Sequence, residues 1–260
     1  MLKLSLVLAI TLAALVGAAV GIAQAPAKSS LIIKTKMSIA GKKVDLSRKR
    51  FYLFRGGLDV NKALADRIKS AAYTSRDCFY CAKKASPEYI AWLRVADCES
   101  PYCREITADD VAKVPEFKAA YQKGLTAYKN KPDIAQKWVT TNMPPDLRDG
   151  YYLQRKQLAD TILADTKPLA TVMTDATAQQ ATFIDLLLGS ASEKFILSNV
   201  IPYEIGGKAY VWVCEVTMKP AANSFILPPS DTTAHVKTCD IVVKDLPHCN
   251  GGSGNGSCAQ

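Results

Sequence analysis

The chain contains eight cysteines, and their spacing is the feature that most clearly predicts chemistry. Four of them, Cys78, Cys81, Cys98 and Cys103, form the pattern C-x2-C-x16-C-x4-C. Two closely spaced pairs of this kind fit four thiolates around a tetrahedral zinc ion. They also fit two disulfides that join helical segments, because residues three to five apart return to the same helix face. The spacing alone leaves both interpretations open.

The N-terminal residues favour disulfides over zinc. Met1–Lys3 carry a positive charge, the run from Leu4 to Val20 is apolar and uncharged, and small residues follow. This order is typical of a secretory signal peptide, which we place at residues 1–23, with cleavage after residue 25 or 27 as alternatives. Exported chains reach oxidising compartments, where an even cysteine count indicates a disulfide framework. We therefore expect a secreted or periplasmic protein, and an N-terminal membrane anchor is the alternative.

Two regions of the chain hold the predicted disulfides. In the first, nested pairing of Cys78 with Cys103 and of Cys81 with Cys98 suits an antiparallel arrangement, although three connectivities fit the sequence. In the second, Cys214 can bridge to Cys239 from a separate strand. The remaining two cysteines, Cys249 and Cys258, would close a glycine-rich loop.

A redox centre and a mixed His/Cys metal site are two alternatives to structural disulfides. A redox centre at Cys78-Phe-Tyr-Cys81 would need a thioredoxin-like βαβ pattern around it, and the flanking sequence has none. A mixed metal site could use His235 with Cys239, which are four residues apart, and His248 with Cys249, which are adjacent. A structural zinc site needs two clear ligand pairs, and the adjacent His248 and Cys249 do not form the second one. We expect neither a metal nor another cofactor.

Catalytic motifs are nearly absent from the sequence. The only two histidines, His235 and His248, lie near the C-terminus, and no nucleophile elbow, zinc-protease or P-loop pattern occurs. We interpret the carboxylate pairs Asp97/Glu99 and Asp109/Asp110 as first-turn acids that complement helix dipoles. A glycosidase needs only two carboxylates and no local motif, so hydrolysis by acidic residues stays the alternative to a non-enzymatic role.

The positive charge of the chain is concentrated near its N-terminus. The formal net charge is +9, and nine basic residues against Asp45 alone lie between Lys28 and Arg55. Such a basic segment can contact an anionic envelope polymer or a membrane surface, whereas a nucleic acid is not expected in this compartment. The alternative is a set of cations that protects an edge strand. The candidate contact residues are Lys42, Lys43, Arg48, Lys49 and Arg50.

The period of the hydrophobic pattern changes twice along the chain. Residues 28–56 alternate as strands do, residues 58–166 follow a helical period, and strands return over 169–247 before a glycine- and serine-rich tail at 248–260. This order predicts an α+β protein in which a β-sandwich is interrupted by a helical insertion carrying four cysteines.

Local signals place several of the helices. Val60, Leu64 and Ile68 share one face at helical spacing. Ser86 can cap a helix that begins at Pro87, and Thr107 stands three residues before Asp110, the spacing of a capping box. We interpret the aromatic residues at helical spacing, from Trp92 to Tyr151 and including Trp138, as core.

A further local signal predicts a hairpin in the C-terminal part. The glycines of Glu204-Ile-Gly-Gly-Lys208 suit a tight turn between two strands. In the strand that follows, Tyr210, Trp212 and Cys214 face one side of the sheet, and the residues between them face the other.

Three short segments resemble the carboxypeptidase-regulatory-like, prealbumin-type domains. They are Thr171-Val-Met-Thr-Asp175, Ala181-Thr-Phe-Ile-Asp-Leu186 and Lys194-Phe-Ile-Leu197, which follow the strand, turn and strand pattern of that family. The resemblance implies a prealbumin-like or immunoglobulin-like sandwich, and a non-catalytic folding, adhesion or surface module. We thus expect an exported binding or structural module whose partner is an envelope polymer, a membrane surface or another exported protein. The alternative is a cell-envelope hydrolase with its carboxylates in a cleft between the sandwich and the helices.

Overall fold

The fold combines helices and sheets, so the predicted α+β class is confirmed. The computed structural model describes residues 27–39, 42–44, 46–95, 97–175, 180–228, 238–246 and 249. None of the helices in these ranges is long and apolar enough to cross a membrane.

Eleven strands are found in the described part of the chain. They are β1 (Ala27–Lys34), β2 (Met37–Ile39), β3 (Lys42–Val44), β4 (Arg50–Arg55), β5 (Ala170–Met173), β6 (Gln180–Leu188), β7 (Glu193–Ser198), β8 (Tyr203–Ile205), β9 (Lys208–Met218), β10 (Ala221–Ile226) and β11 (Cys239–Asp245).

The strands form two main sheets. A small sheet has the order β10-β1-β6, in which β1 is parallel to β10 and antiparallel to β6. A large antiparallel sheet has the order β11-β9-β7-β4-β5, and β8 pairs with β9 beside it. β2 and β3 form a separate hairpin. The N-terminal strands β1 and β4 thus pair with strands that follow the helices in the sequence.

Nine helices lie between β4 and β5 in the described residues. They are α1 (Lys62–Ser70), α2 (Arg76–Ala82), α3 (Pro87–Val95), α4 (Ala108–Lys113), α5 (Pro115–Ala127), α6 (Pro132–Lys137), α7 (Val139–Asn142), α8 (Pro145–Arg148) and α9 (Gly150–Ile162).

The central strands of the large sheet, β4, β7 and β9, are buried on both faces. Leu53 and Trp212 share one hydrophobic core with Leu31 of the small sheet. Val213, on the opposite face, packs in a second core with Ile68 of α1 and with residues of α9. Because side chains alternate across a strand, β4 and β9 need apolar residues at nearly every position. The large sheet therefore supports both the small sheet and the helices.

A third core lies wholly outside the sheets. It is built from helices α2 to α5 and α7 to α9 and dominated by aromatic side chains, including Tyr89 and Phe117, whose rings meet edge to face at 5.6 Å. Cys249, near the C-terminus, is 5% exposed and is buried in this same core. The chain therefore returns from the last strand to the helices.

The structure confirms some of the predictions made from local helix signals and contradicts others. Ser86 Oγ accepts from the Tyr89 amide at 3.1 Å, and Thr107 with Asp110 forms the predicted capping box. Val60, however, is 74% exposed and precedes α1, and Trp138 is 48% exposed at the end of α6, so neither belongs to the core. Both were assigned by spacing, which does not show where a helix begins or which side is covered.

Candidate functional site

The disulfides confirm one predicted pair and correct the others. Cys214 bonds to Cys239 between β9 and β11, as predicted. The nested pairs are wrong, because Cys98 bonds to Cys103 and Cys78 bonds to Cys249. The Cys249–Cys258 loop is wrong for the same reason, and Cys258 itself lies outside the described residues. Cys81 is also disulfide-bonded.

The observed pairing has a simple physical origin. Cys98 and Cys103 lie in one tight loop after α3, with their Cα atoms 5.6 Å apart. The end of β11 brings Cys249 to α2, where its Cα is 4.9 Å from that of Cys78. Local spacing could reveal only the first of these approaches. The four cysteines of the helical part therefore do not form one group of thiolates, which a zinc site would require.

One pocket lies where the Cys98–Cys103 loop, α2 and α9 meet β8 and the turn before β4. The space measures about 210 Å³, counting a part that opens to solvent. The centre of a water-sized sphere can occupy only about 10 Å³ of it, which is room for about one water molecule. Eight side chains line it, and all are charged or phenolic: Lys49, Arg76, Asp97, Glu99, Tyr151, Arg155, Tyr203 and Glu204.

Glu204 of β8 is the most heavily bonded group at the pocket. Its Oε1 accepts from the hydroxyls of Tyr73 at 2.7 Å and Tyr151 at 2.8 Å. The same oxygen accepts from the backbone amide of Arg76, the first residue of α2, at 2.6 Å. Burial raises the pKa of both tyrosines, so each keeps the proton that it donates. Glu204 thereby ties β8 to α2 and to α9.

The two other carboxylates of the pocket, Asp97 and Glu99, lie on either side of Cys98 at the start of the Cys98–Cys103 loop. Asp97 binds Lys49 Nζ at 2.8 Å through Oδ2 and Arg76 Nη1 at 3.5 Å through Oδ1. Glu99 Oε1 is 3.1 Å from Nη1 of Arg155. These acids follow α3 and lie in a loop, so their interpretation as first-turn acids is wrong, whereas Asp109 and Asp110 do begin α4.

The cations of the pocket lie deeper than the carboxylates of the loop. The Arg155 side chain is 12% exposed and that of Lys49 is 12% exposed, against 51% for Asp97. Burial opposes the charge of Arg155, but the Glu99 carboxylate and the neighbouring tyrosines together outweigh it and raise the pKa of the guanidinium. Arg155 also donates to the Pro202 carbonyl at 3.1 Å. Three cations and three carboxylates thus neutralise one another.

No protein-family model, curated protein or solved structure matches this chain. Among the described residues, no group of three or more His, Cys, Asp or Glu side chains is arranged to hold a metal ion. His235 and His248 lie outside the described residues.

The structure separates the five basic residues of the predicted contact set. Lys49 points into the pocket, where its Nζ lies 5.5 Å from the centre of the Tyr203 ring. Lys43, Arg48 and Arg50 are exposed. Lys42 belongs to β3, and its side chain is outside the described set. Lys49 is therefore paired with Asp97, whereas Lys43, Arg48 and Arg50 face solvent.

Sequence reasoning missed Arg155 and Glu204 entirely and treated Tyr151 as ordinary core. These residues are far apart in the sequence and carry no motif. The one available signal was the pair Asp97 and Glu99 on either side of Cys98, because a short disulfide loop holds its neighbours in fixed positions.

Proposed function

We propose that the chain is an exported, non-enzymatic module that binds a partner or has a structural role at the cell envelope or outside the cell. The observation that carries this proposal is that every carboxylate of the pocket is already bonded to cations or hydroxyls. A general acid, base or nucleophile must reach its substrate with an oxygen that is within hydrogen-bond distance of it. Here the charges bind one another and join the helices to the sheet.

Export is part of the same proposal. The described residues include three disulfides, one of which, Cys78–Cys249, joins the helices to the C-terminal part, and disulfides persist in oxidising compartments. The signal-like residues 1–23 are the sequence feature that supports it. N-terminal sequencing of the protein from its own compartment should give a start near Gln24 or Lys28. A chain that keeps Met1 and remains in the cytosol would exclude export.

The family relation is likewise a proposal. The small and large sheets share one core, which supports a β-sandwich of the prealbumin-like or immunoglobulin-like kind. The helices between β4 and β5 would then be an insertion in that sandwich.

A cell-envelope hydrolase is the second candidate, and one observation favours it. Asp97 and Glu99 from the helical part and Glu204 from the sheet line the same pocket, where a hydrolase between the two parts would carry its acids. Retaining and inverting glycosidases both use two carboxyl groups on either side of the scissile bond.

The test is turnover by the purified, oxidised protein. It is incubated with defined glycoside, peptide and ester substrates, beside the double variant Asp97→Asn/Glu99→Gln. We expect the wild type and the variant to give the same background rate. A wild-type rate above background that the double variant loses would replace the proposed module by the hydrolase.

A further inference from the structure

A surface distinct from the pocket lies at the edge of the large sheet that is formed by β5. β5 is the last strand of this sheet and pairs with β4 alone among the described strands. The Thr174 amide donates to the Lys49 carbonyl at 2.9 Å, which fixes the alternation of the ladder. By that alternation the backbone groups of Thr171 and Met173 point away from β4. They face the side on which another strand could add.

Apolar side chains accompany this edge on the helix-facing side. Met173 is 54% exposed and Leu169 is 41% exposed. Tyr152 of α9 is 48% exposed, and after the hydrogen bond from Arg50 to Tyr52 it makes a smaller electrostatic contribution to the raised pKa of Arg50. Exposed aromatic and aliphatic residues of this kind serve as anchors when grouped beside open backbone groups.

Two arginines stand at the same edge. Arg50 is the cross-strand partner of Met173, and the Arg48 amide donates to the Thr174 carbonyl at 3.1 Å. Both side chains are exposed, and no described carboxylate forms an ion pair with either one. The adjacent acids are Asp97, which binds Lys49, and Asp175 at the end of β5.

The turn that carries the arginines is held in place. Thr174 is 3% exposed, and its hydroxyl accepts from the Lys49 amide at 2.7 Å and donates to the Leu46 carbonyl. Arg48 has a φ of 56°, a conformation that costs a residue with a side chain some backbone strain. The bonds from Thr174 hold the arginine backbone in that conformation beside the strand.

We propose that this edge, formed by β5 with Arg48, Arg50 and Tyr152, binds an extended acidic polypeptide segment of a partner by strand addition. Open backbone donors and acceptors fit another peptide backbone, which neither a lipid headgroup nor a glycan provides. Arg50 and its cross-strand partner Met173 lie on one face of the sheet, so the bound segment would present both acidic and apolar side chains on the face that it shares with them. This inference deepens the proposed function and rests on it, because it names the partner class of the binding module.

The test uses a short fluorescent peptide of repeated Glu-Thr-Val-Thr units, which presents both Glu and Val on one face of a strand, and binding to the oxidised full chain is measured by fluorescence anisotropy. We expect saturable binding that weakens on the order of tenfold or more in Arg48→Glu/Arg50→Glu. Thr171→Pro should weaken it as well, because proline removes an outward amide that β4 does not use. The matched control is Lys118→Glu/Lys123→Glu, the same charge change at two exposed lysines of α5, which packs against other helices, and it should leave the affinity unchanged.

Several results would overturn the strand-addition proposal. They are absence of saturable binding, equal losses in the two charge variants, or equal affinity for a peptide N-methylated on its alternate amides. Tighter binding to anionic vesicles or to an acidic polysaccharide than to the peptide would also overturn it. Near-ultraviolet circular dichroism confirms that each variant is folded. All of these outcomes are independent of the turnover assay, so this proposal can fail while the non-enzymatic module stands, and the reverse.

Discussion

Arg155 of α9 and Glu99 of the Cys98–Cys103 loop form an ion pair across 3.1 Å. The guanidinium also reaches the carbonyl of Pro202, just before β8. One side chain therefore joins a helix, a disulfide loop and the sheet. The other groups of the pocket repeat this pattern, which is why we assign them a structural role.

Arg155→Met should destabilise the protein by about 2 kcal/mol, because it leaves Glu99 without its cation and Pro202 without its donor. This value allows for the partial exposure of Glu99. Urea unfolding monitored by tryptophan fluorescence gives the measurement. The matched control is Lys113→Met, which removes an exposed ion pair with Asp109 and should change the midpoint little. Equal urea midpoints for both variants would show that Arg155 does not stabilise the contact between α9, the disulfide loop and the sheet.

Two described disulfides that involve the helical part should contribute unequally. Cys78–Cys249 closes a separation of 171 residues and Cys98–Cys103 one of 5. Loop entropy then predicts losses of about 5 and about 2 kcal/mol when each pair is replaced by serine. Unfolding of both double variants under oxidising conditions measures the difference. Non-reducing peptide mapping should also recover a peptide that links Cys78 to Cys249, and a peptide linking Cys78 to Cys103 would refute the observed pairing.

Gly57 is required by the packing around Glu215. A Cβ at this position would lie 2.5 Å from Oε2 of Glu215 and 2.7 Å from Oδ1 of Asp59. Gly57→Ala should therefore displace the Glu215 carboxylate and cost about 1–3 kcal/mol of unfolding free energy. Gly189→Ala is the control, because its nearest neighbours would be 3.9 Å away. Should the two variants unfold at the same urea concentration, the crowding at Gly57 has no energetic consequence.

Glu215 should also give a defined acid dependence of stability. Lys194 and the Leu58 amide bond to its carboxylate and hold its pKa below the usual 4.5. A carboxyl with a lowered pKa in the folded state stabilises the protein above the unfolded value and loses that effect as pH falls through the folded value. Wild type and Glu215→Gln should therefore differ most at neutral pH and converge below pH 4.5. A constant difference across that range would contradict the assignment.

The parts of the fold that could be predicted from sequence are those fixed by near neighbours. The Gly206–Gly207 turn has positive φ at both residues, as a two-residue hairpin requires. In β9 the predicted alternation of Trp212 and Val213 is confirmed, because the two residues lie in different cores. The capping box at Thr107 is likewise local.

The site could not be predicted in the same way. Lys49, Glu99 and Arg155 meet only after the sheet has paired its N-terminal and C-terminal strands, and no spacing in the sequence records that approach. Cys249 reaches α2 by the path of β11, which again is a tertiary event. The prediction that Val60 and Trp138 belong to the core is wrong, because both are exposed. Helical spacing shows that residues share one face of a helix, but it does not show whether another element covers that face.

The central claim, that the pocket charges hold the structure together, is tested most directly by the stability of Glu204→Gln. Glu204 accepts three hydrogen bonds from α2, α9 and the loop between α1 and α2, and loss of its charge weakens all three. Urea unfolding should show a loss of about 2 kcal/mol, and none for Glu105→Gln at an exposed position. Charged groups kept for catalysis often reduce stability, so removing one tends to raise it. A Glu204→Gln protein as stable as the wild type, or more so, would contradict the structural role.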